Sequence, residues 1–292
     1  MIYSVRHHTT VTYAAPVVQA QFNLRLLPWN WPGQVFHHAQ LTLEPEPERR
    51  VEKAGPYCVR TTSISYREEL EKLELVSTFE VELNPLPMPG DGPVIAVSLE
   101  EALAVRSLRA DGPAPYMFAS RIARVESDIA AWARDFLPRT TPVVTAVSAL
   151  MAAIHSDFVY RPGVTTSATP PSEVFAKREG VCQDFAHVMI VALRSCGIPA
   201  AYVSGYLRTV PPPGQERLVG ADAMHAWVNV WCGQELGWVG FDPTNNCLAR
   251  GDHIVIGMGR DYADVAPIDG TFIGAAPQKM VTAVDVVEAA AA

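Results

Sequence analysis

The chain has 292 residues, 49% of them hydrophobic and 18% charged, enough material for two domains with a buried core. Lys and Arg number 23 against 31 Asp and Glu, a net charge of -8. That balance leaves no basic field for phosphate backbones or anionic lipid, and no apolar run approaches the ~20 residues of a membrane-spanning helix, so no nucleic acid and no membrane partner is expected.

The opening residues, "MIYSVRHHTT", lack the charged start and apolar stretch of a secretory signal and read as a strand. Further β-type segments follow at 38–44, 57–66 and 73–83, bounded by turn-forming residues. In the last of them Leu73, Leu75, Phe79, Val81 and Leu83 share one parity, and Glu74, Glu80 and Glu82 the other. This is the alternation of a strand with one wet face. An antiparallel β domain is expected over residues 1–97. The stretch "NPLPMPGDGP" (84–93), with four prolines and two glycines, breaks ladders and helices and marks the joint to a second domain, residues 98–292.

Beyond the joint the hydrophobic period lengthens. Ile122, Val125, Ile129, Trp132 and Phe136 step by three and four, as do Val143, Val147, Leu150, Met151, Ile154 and Phe158 after Thr141-Pro142; two amphipathic helices are predicted. The run "CQDFAHVMIVALRSC" (182–196) is apolar on nearly all sides and stops at Gly197 and Pro199, the pattern of a buried central helix. Segments 201–207, 224–231 and 237–244 read as strands, so the second domain is α+β, a helix leading into a sheet.

Five cysteines, Cys58, Cys182, Cys196, Cys232 and Cys247, are too scattered for a disulfide scaffold, and no C-x-x-C pair occurs. Reduced thiols and a cytoplasmic location are expected. A buried free cysteine is usually packing, but Cys182 falls in the first turn of its helix, where unpaired backbone N–H groups and the positive dipole end stabilise a thiolate. Gly180 can cap that helix and admit a close backbone or substrate. Cys196, at the other end, has neither advantage and reads as core.

A nucleophilic thiolate needs a base, and the base needs an orienting partner. His187 lies five positions along the same helix and points away from Cys182; it reads as structural, as does Asp184, a helix-end charge. His7 with His8, and His37 with His38, are adjacent pairs whose members face opposite sides of a strand, and read as surface or interdomain residues. His225 differs. In "MHAWVNVWCGQELGWVGFDPT" a turn centred between Gln234 and Glu235 pairs Trp231 with Trp238 and Trp227 with Asp242, making His225 and Asp242 diagonal neighbours on one face. A half-residue shift of the turn sends Asp242 to the other face, and its alternative reading is a turn former before Pro243. A metal site of Cys182, His187 and His225 matches no common zinc spacing. Trp227, Trp231, Trp238 and Tyr206 read as a packed sheet surface.

The motifs "GVCQDFAH", "GIPAAYVSGY", "HAWVNV" and "GWVGFDPT", in this order, resemble the transglutaminase-like superfamily with its papain-like cysteine-peptidase core. The leading β region and "GRDYADVAPIDG" (259–270) resemble its bacterial branch. The resemblance implies an N-terminal antiparallel β domain followed by a core whose central helix packs on an antiparallel sheet. It also implies Cys182, His225 and Asp242 as catalytic residues, acting on amide bonds of peptide or protein substrates through a thioester that passes to an amine acceptor or to water. The backbone N–H of Cys182 is the natural oxyanion donor; Gln183 and Trp227, neighbours of the nucleophile and the base, are the candidate substrate contacts. Ala201 stands where related sequences often carry Arg, and Asn229 where an acidic residue is common, which bears on substrate preference. No calcium-loop pattern occurs, and no cofactor or metal is implied. The contrasting expectation is a catalytically silent interaction module on the same fold.

Overall fold

Alternation of apolar and polar residues in the first 83 positions yields six strands: β1 (Ile2–Val17), β2 (Gln19–Leu24), β3 (Gln34–Glu44), β4 (Arg49–Ala54), β5 (Arg60–Tyr66) and β6 (Leu70–Leu83). After them come α1 (Leu99–Ala102), α2 (Ser127–Ala133), α3 (Val143–Asp157), β7 (Val159–Tyr160), α4 (Pro171–Lys177), β8 (Glu179–Gly180) and α5 (Cys182–Ser195). The chain continues through β9 (Ala200–Leu207), β10 (Ala223–Trp231), β11 (Trp238–Asp242), β12 (Cys247–Leu248), β13 (His253–Gly259), α6 (Tyr262–Val265), β14 (Ile268–Ile273) and β15 (Gln278–Glu288). The computed structural model describes residues 1–88, 97–103, 107–209, 223–274 and 277–289. The second half of the proline-rich joint, residues 89–93, lies outside them. No helix among the described residues is long and apolar enough to cross a membrane.

Three sheets carry the architecture, in the strand orders β15-β1-β6-β3, β14-β2-β5-β4 and β12-β11-β10-β9-β13. The first two stack as a sandwich around Val11, Tyr13, Leu41, Leu73, Phe22 and Ile64. The long strands β1 and β6 extend past this sandwich: Tyr3, Val5, Phe79 and Val81 pack against Tyr206, Ile254 and Ile256 of the third sheet. One face of β1 therefore serves two cores, and between them it places His7 and Thr9. The last two strands return to the beginning of the chain, β14 pairing with β2 and β15 with β1.

In the second half, α5 is the central element. Every residue from Phe185 to Leu193 is at most 2% exposed, as an all-round apolar helix must be. It lies against α2, α3 and α4 and against β9 and β10. Gly197, with φ of 76°, ends it in the left-handed turn that glycine adopts without strain. The buried Arg194 then anchors that end by donating to the carbonyls of Ala200 and Arg260 at 2.7 and 2.6 Å.

The helix expected from Ile122 to Phe136 is shorter, Ser127–Ala133. Ahead of it the chain is held out of helical geometry: the N–H of Ile122 donates to Asp261 Oδ2 at 2.8 Å, and Val125 is exposed. Periodicity does not mark β4, an edge strand whose residues are nearly all exposed and so carry no apolar parity.

Candidate functional site

Cys182 is the first residue of α5. The turn before it is built by Asp184, whose Oδ2 accepts from the N–H of Val181 at 2.8 Å and from Thr165 Oγ1 at 2.6 Å. Val181, rather than Gly180, occupies the cap position. Gly180 has a steric role, because a Cβ there would stand 2.7 Å from Asp184 Oδ2. At the first helical position the N–H of Cys182 has no intrahelical carbonyl to bond, and it borders the cleft that holds the sulfur.

His225 and Asp242 arrive from the hairpin of β10 and β11. Trp231 pairs with Trp238 and Val228 with Phe241, the register under which His225 and Asp242 share a face. His225 Nε2 and Asp242 Oδ2 are 2.8 Å apart. Both readings of Asp242 are realised at once: Oδ1 accepts the N–H groups of Thr244 and Asn245 at 2.9 and 3.2 Å and closes the turn, while Oδ2 faces the imidazole. With Nε2 committed to the carboxylate, Nδ1 is the ring nitrogen left for sulfur, and Cys182 lines the same cleft as this imidazole.

Two further side chains complete the carboxylate's shell, and no motif spacing in the sequence marks either. His253 Nε2 lies 3.1 Å from Asp242 Oδ2, and Asn245 Nδ2 donates to the same oxygen at 2.7 Å. Asp242 is fully buried. Burial pushes its pKa up, but the hydrogen bonds from His225, His253 and Asn245 outweigh that and hold it well below the usual carboxylate range. Burial likewise pulls the His225 imidazole down, and the hydrogen bond to Asp242, with the charges of Asp242 and Cys182 nearby, overcomes it, raising its pKa to about 9. The donor atoms of His225, Asp242 and His253 lie within 4.8 Å of one another, close enough to chelate a cation. Each imidazole, however, already spends its Nε2 on the one oxygen.

His187 is apart from this cluster. It is stacked on Tyr202 with ring centroids 4.9 Å apart and accepts the N–H of Tyr262 at 3.2 Å. Burial lowers its pKa to about 4. The grouping of Cys182, His187 and His225 around one ion is therefore not formed.

The cleft over Cys182 encloses about 400 Å³. Gln183, Tyr202 and His225 form one wall, and His7, Thr9 and Thr282 of β1 and β15 form the other. These last three are chained: Tyr206 Oη to His7 Nδ1 at 2.9 Å, His7 Nε2 to Thr9 Oγ1 at 2.8 Å, and Thr9 Oγ1 to Thr282 Oγ1 at 2.8 Å. His7 is thus an interdomain residue, 1% exposed, and β1 together with β15 supplies one side of the cleft. The readable signal was parity: Tyr3, Val5, Val11 and Tyr13 share one face of β1, and His7 and Thr9 interrupt it.

Gln183 reaches the cleft, whereas Trp227 does not. Its indole is 1% exposed and packs edge-on against His253, with centroids 5.2 Å apart. It crosses β9 where Gly205 lacks a side chain; a Cβ there would lie 2.4 Å from the indole. Trp227 shields the imidazole–carboxylate cluster from behind. Trp231 and Trp238 pack on each other at 5.6 Å, as a sheet surface.

A model of the transglutaminase-like superfamily matches residues 130–243, and one of the bacterial transglutaminase-like N-terminal region matches residues 3–82. An uncharacterized protein of Mycobacterium tuberculosis (strain ATCC 25618 / H37Rv) is 38% identical over 275 residues, covering 92% of this chain and 86% of that protein. A protein-glutamine gamma-glutamyltransferase of Pseudomonas aeruginosa is 38% identical over 104 residues, 33% of this chain and 15% of that protein. A candidate cysteine protease from Cytophaga hutchinsonii superposes with a TM-score of 0.75 at 22% identity, covering 100% of this chain and 93% of that one. That likeness is one of fold: an α+β chain with an N-terminal β region and a core in which a central helix packs on an antiparallel sheet.

Proposed function

Because this chain belongs to the transglutaminase-like superfamily, we propose that it is a thiol enzyme acting on amide bonds of peptide or protein substrates, with Cys182 as nucleophile, His225 as acid–base and Asp242 as the group that orients it. The observation that carries this reading is a single imidazole held at 2.8 Å by a buried carboxylate, in the cleft that Cys182 lines from the tip of α5.

The chemistry runs in two halves. The thiol proton passes to His225, and the sulfur attacks the carbonyl carbon; the carbonyl oxygen becomes an oxyanion facing the N–H of Cys182. On collapse the C–N bond breaks, the imidazolium proton goes to the leaving amine, and a thioester remains on Cys182. An amine or a water molecule then gives a proton to His225 and attacks the thioester, the C–S bond breaks, and a new amide or an acid departs. Once it has taken that proton His225 holds it for the leaving group, because its pKa, pulled down by burial, is raised further by Asp242, to about 9. Gln183 contacts the substrate in the cleft; the β region holds the substrate from the other wall. A reducing, cytoplasmic setting completes the proposal, supported by five free cysteines.

Mass spectrometry of the intact protein after incubation with mixed peptides tests it. The expected product is an acyl adduct on Cys182, released as amide when an amine is supplied and as acid when it is not. Failure to trap an adduct from any peptide, or turnover that survives Cys182→Ala, contradicts the reading.

A further inference from the structure

A second and larger concavity, about 1320 Å³, lies between the outer face of the sheet β14-β2-β5-β4 and the segments that precede α2 and α4. The outer faces of the strands are their polar parity, and β4 brings Arg49 and Lys53 to the groove. The opposite wall brings Arg121 and Arg124. These four cations come from stretches some seventy residues apart, so they are not one solvated run of charge but two rows that meet across a groove. Among the described residues none of the four side chains has an ion-pair or hydrogen-bond partner. Arg25, also in the groove, is neutralised by Asp269. The carboxylate that remains to face the four is Glu126. Such a cluster is out of keeping with a chain whose net charge is -8, and it makes this groove an attractive site for anionic partners.

Spacing says what kind of anion fits. Arg49 and Lys53 stand four residues apart on one strand, about 13 Å at the usual strand rise, so the charges are strung along the groove and do not converge on one phosphate. The volume also exceeds the roughly 300–1,000 Å³ of a small-molecule site. Tyr262 borders both this groove and the cleft that holds Cys182. A polypeptide lying in the groove can therefore pass over Tyr262 and present a bond to the sulfur.

We propose that this groove binds a carboxylate-rich polypeptide segment of the substrate, distant from the bond attacked, and selects acidic peptides or proteins. Its role in turnover rests on the thiol-enzyme reading above; its ability to bind does not.

The test uses the full chain carrying Cys182→Ala, so that nothing reacts, with fluorescence anisotropy of a labelled glutamate–glycine repeat peptide and its glutamine–glycine counterpart at low salt. The glutamate peptide binds about tenfold tighter or more, and binding weakens as salt screens the charges. Arg121→Glu with Arg124→Glu on one wall, and Arg49→Glu with Lys53→Glu on the other, each remove most of that preference. All four side chains are exposed, so the two pairs are independent variants that leave the core intact. Equal affinity for the two peptides overturns the proposal, as does a preference that survives both pairs of reversals. Tighter binding of a single-stranded oligonucleotide of equal charge also overturns it, in favour of a nucleic-acid surface. If the acidic peptide binds through these residues and no peptide ever acylates Cys182, the groove stands and the enzymatic reading falls.

Discussion

The hairpin of β10 and β11 and the interior of α5 each bury an imidazole, and the two behave in opposite ways. His225 is 9% exposed and His187 2%, yet the pKa of the first is raised to about 9 and that of the second lowered to about 4. Burial acts in the same direction on both, against charge. The difference is the bond: a buried carboxylate binds His225 directly, whereas His187 is offered a backbone N–H and the ring of Tyr202. The buried Asp261 near His187 spends its oxygens on the N–H groups of Ile122 and Ala263, while Arg194 opposes its charge. A buried histidine is thus a fixed, neutral packing group unless the fold also buries an anion for it.

Asp242→Asn breaks the comparison most severely. It keeps the size of the side chain and removes the charge, so the His225 pKa falls below 6.5, towards that of His187, as NMR titration of the imidazoles will show. Acylation of Cys182 slows by about 10⁴-fold, the order of loss expected when a triad carboxylate becomes an amide.

The pH dependence of stability sharpens it next. His187 has a folded pKa below its unfolded value of about 6.5, so its contribution is intact above pH 6.5 and is lost as the pH falls towards 4. Linkage gives a cost of about 2 kcal/mol between pH 7 and pH 5. Urea unfolding will show that loss in the wild type and a smaller one in His187→Gln, which keeps an acceptor for the Tyr262 N–H. For His225 the sign reverses: the folded pKa is raised, so its contribution is complete below about pH 6.5 and disappears as the pH climbs through 9. In Asp242→Asn this alkaline loss is absent.

His253→Ala has a smaller effect, because it removes one of three donors to Asp242 Oδ2 and leaves the carboxylate in place. A destabilisation of about 1.5–3 kcal/mol is expected, the range for a hydrogen bond to a charged group, with a smaller loss of activity than in Asp242→Asn. His253→Gln, which retains a donor, recovers most of it. Equal losses in His253→Ala and His253→Gln contradict a hydrogen-bonding role.

How far the sequence showed the site follows from how local each part is. Cys182 is legible from the apolar run that opens at it, and the juxtaposition of His225 with Asp242 from counting residues back from one turn. His253 is not legible in this way: it reaches Asp242 only because β13 pairs with β9 at the far side of the sheet order β12-β11-β10-β9-β13. No spacing in the chain encodes that order. Gly205 within the strand "AYVSGYL" was a usable sign, since glycine inside a strand marks a close approach, here that of the Trp227 indole. The return of β14 and β15 to the N-terminal sheets was hidden for the same reason, being a pairing across more than 240 residues. Fold class, by contrast, rests on parity and period within single elements, and those are local.

The most direct test of the account is the rate at which iodoacetamide modifies each of the five cysteines at mildly acid pH, resolved by peptide mass spectrometry. Burial pushes the thiols of Cys58 and Cys247 up to about 11 and raises Cys196 and Cys232 as well, so these four stay unmodified. Cys182 is alkylated first, and His225→Ala slows it sharply. Modification of all five at similar rates, or a Cys182 rate indifferent to the loss of His225, would contradict the claim that this imidazole activates this sulfur.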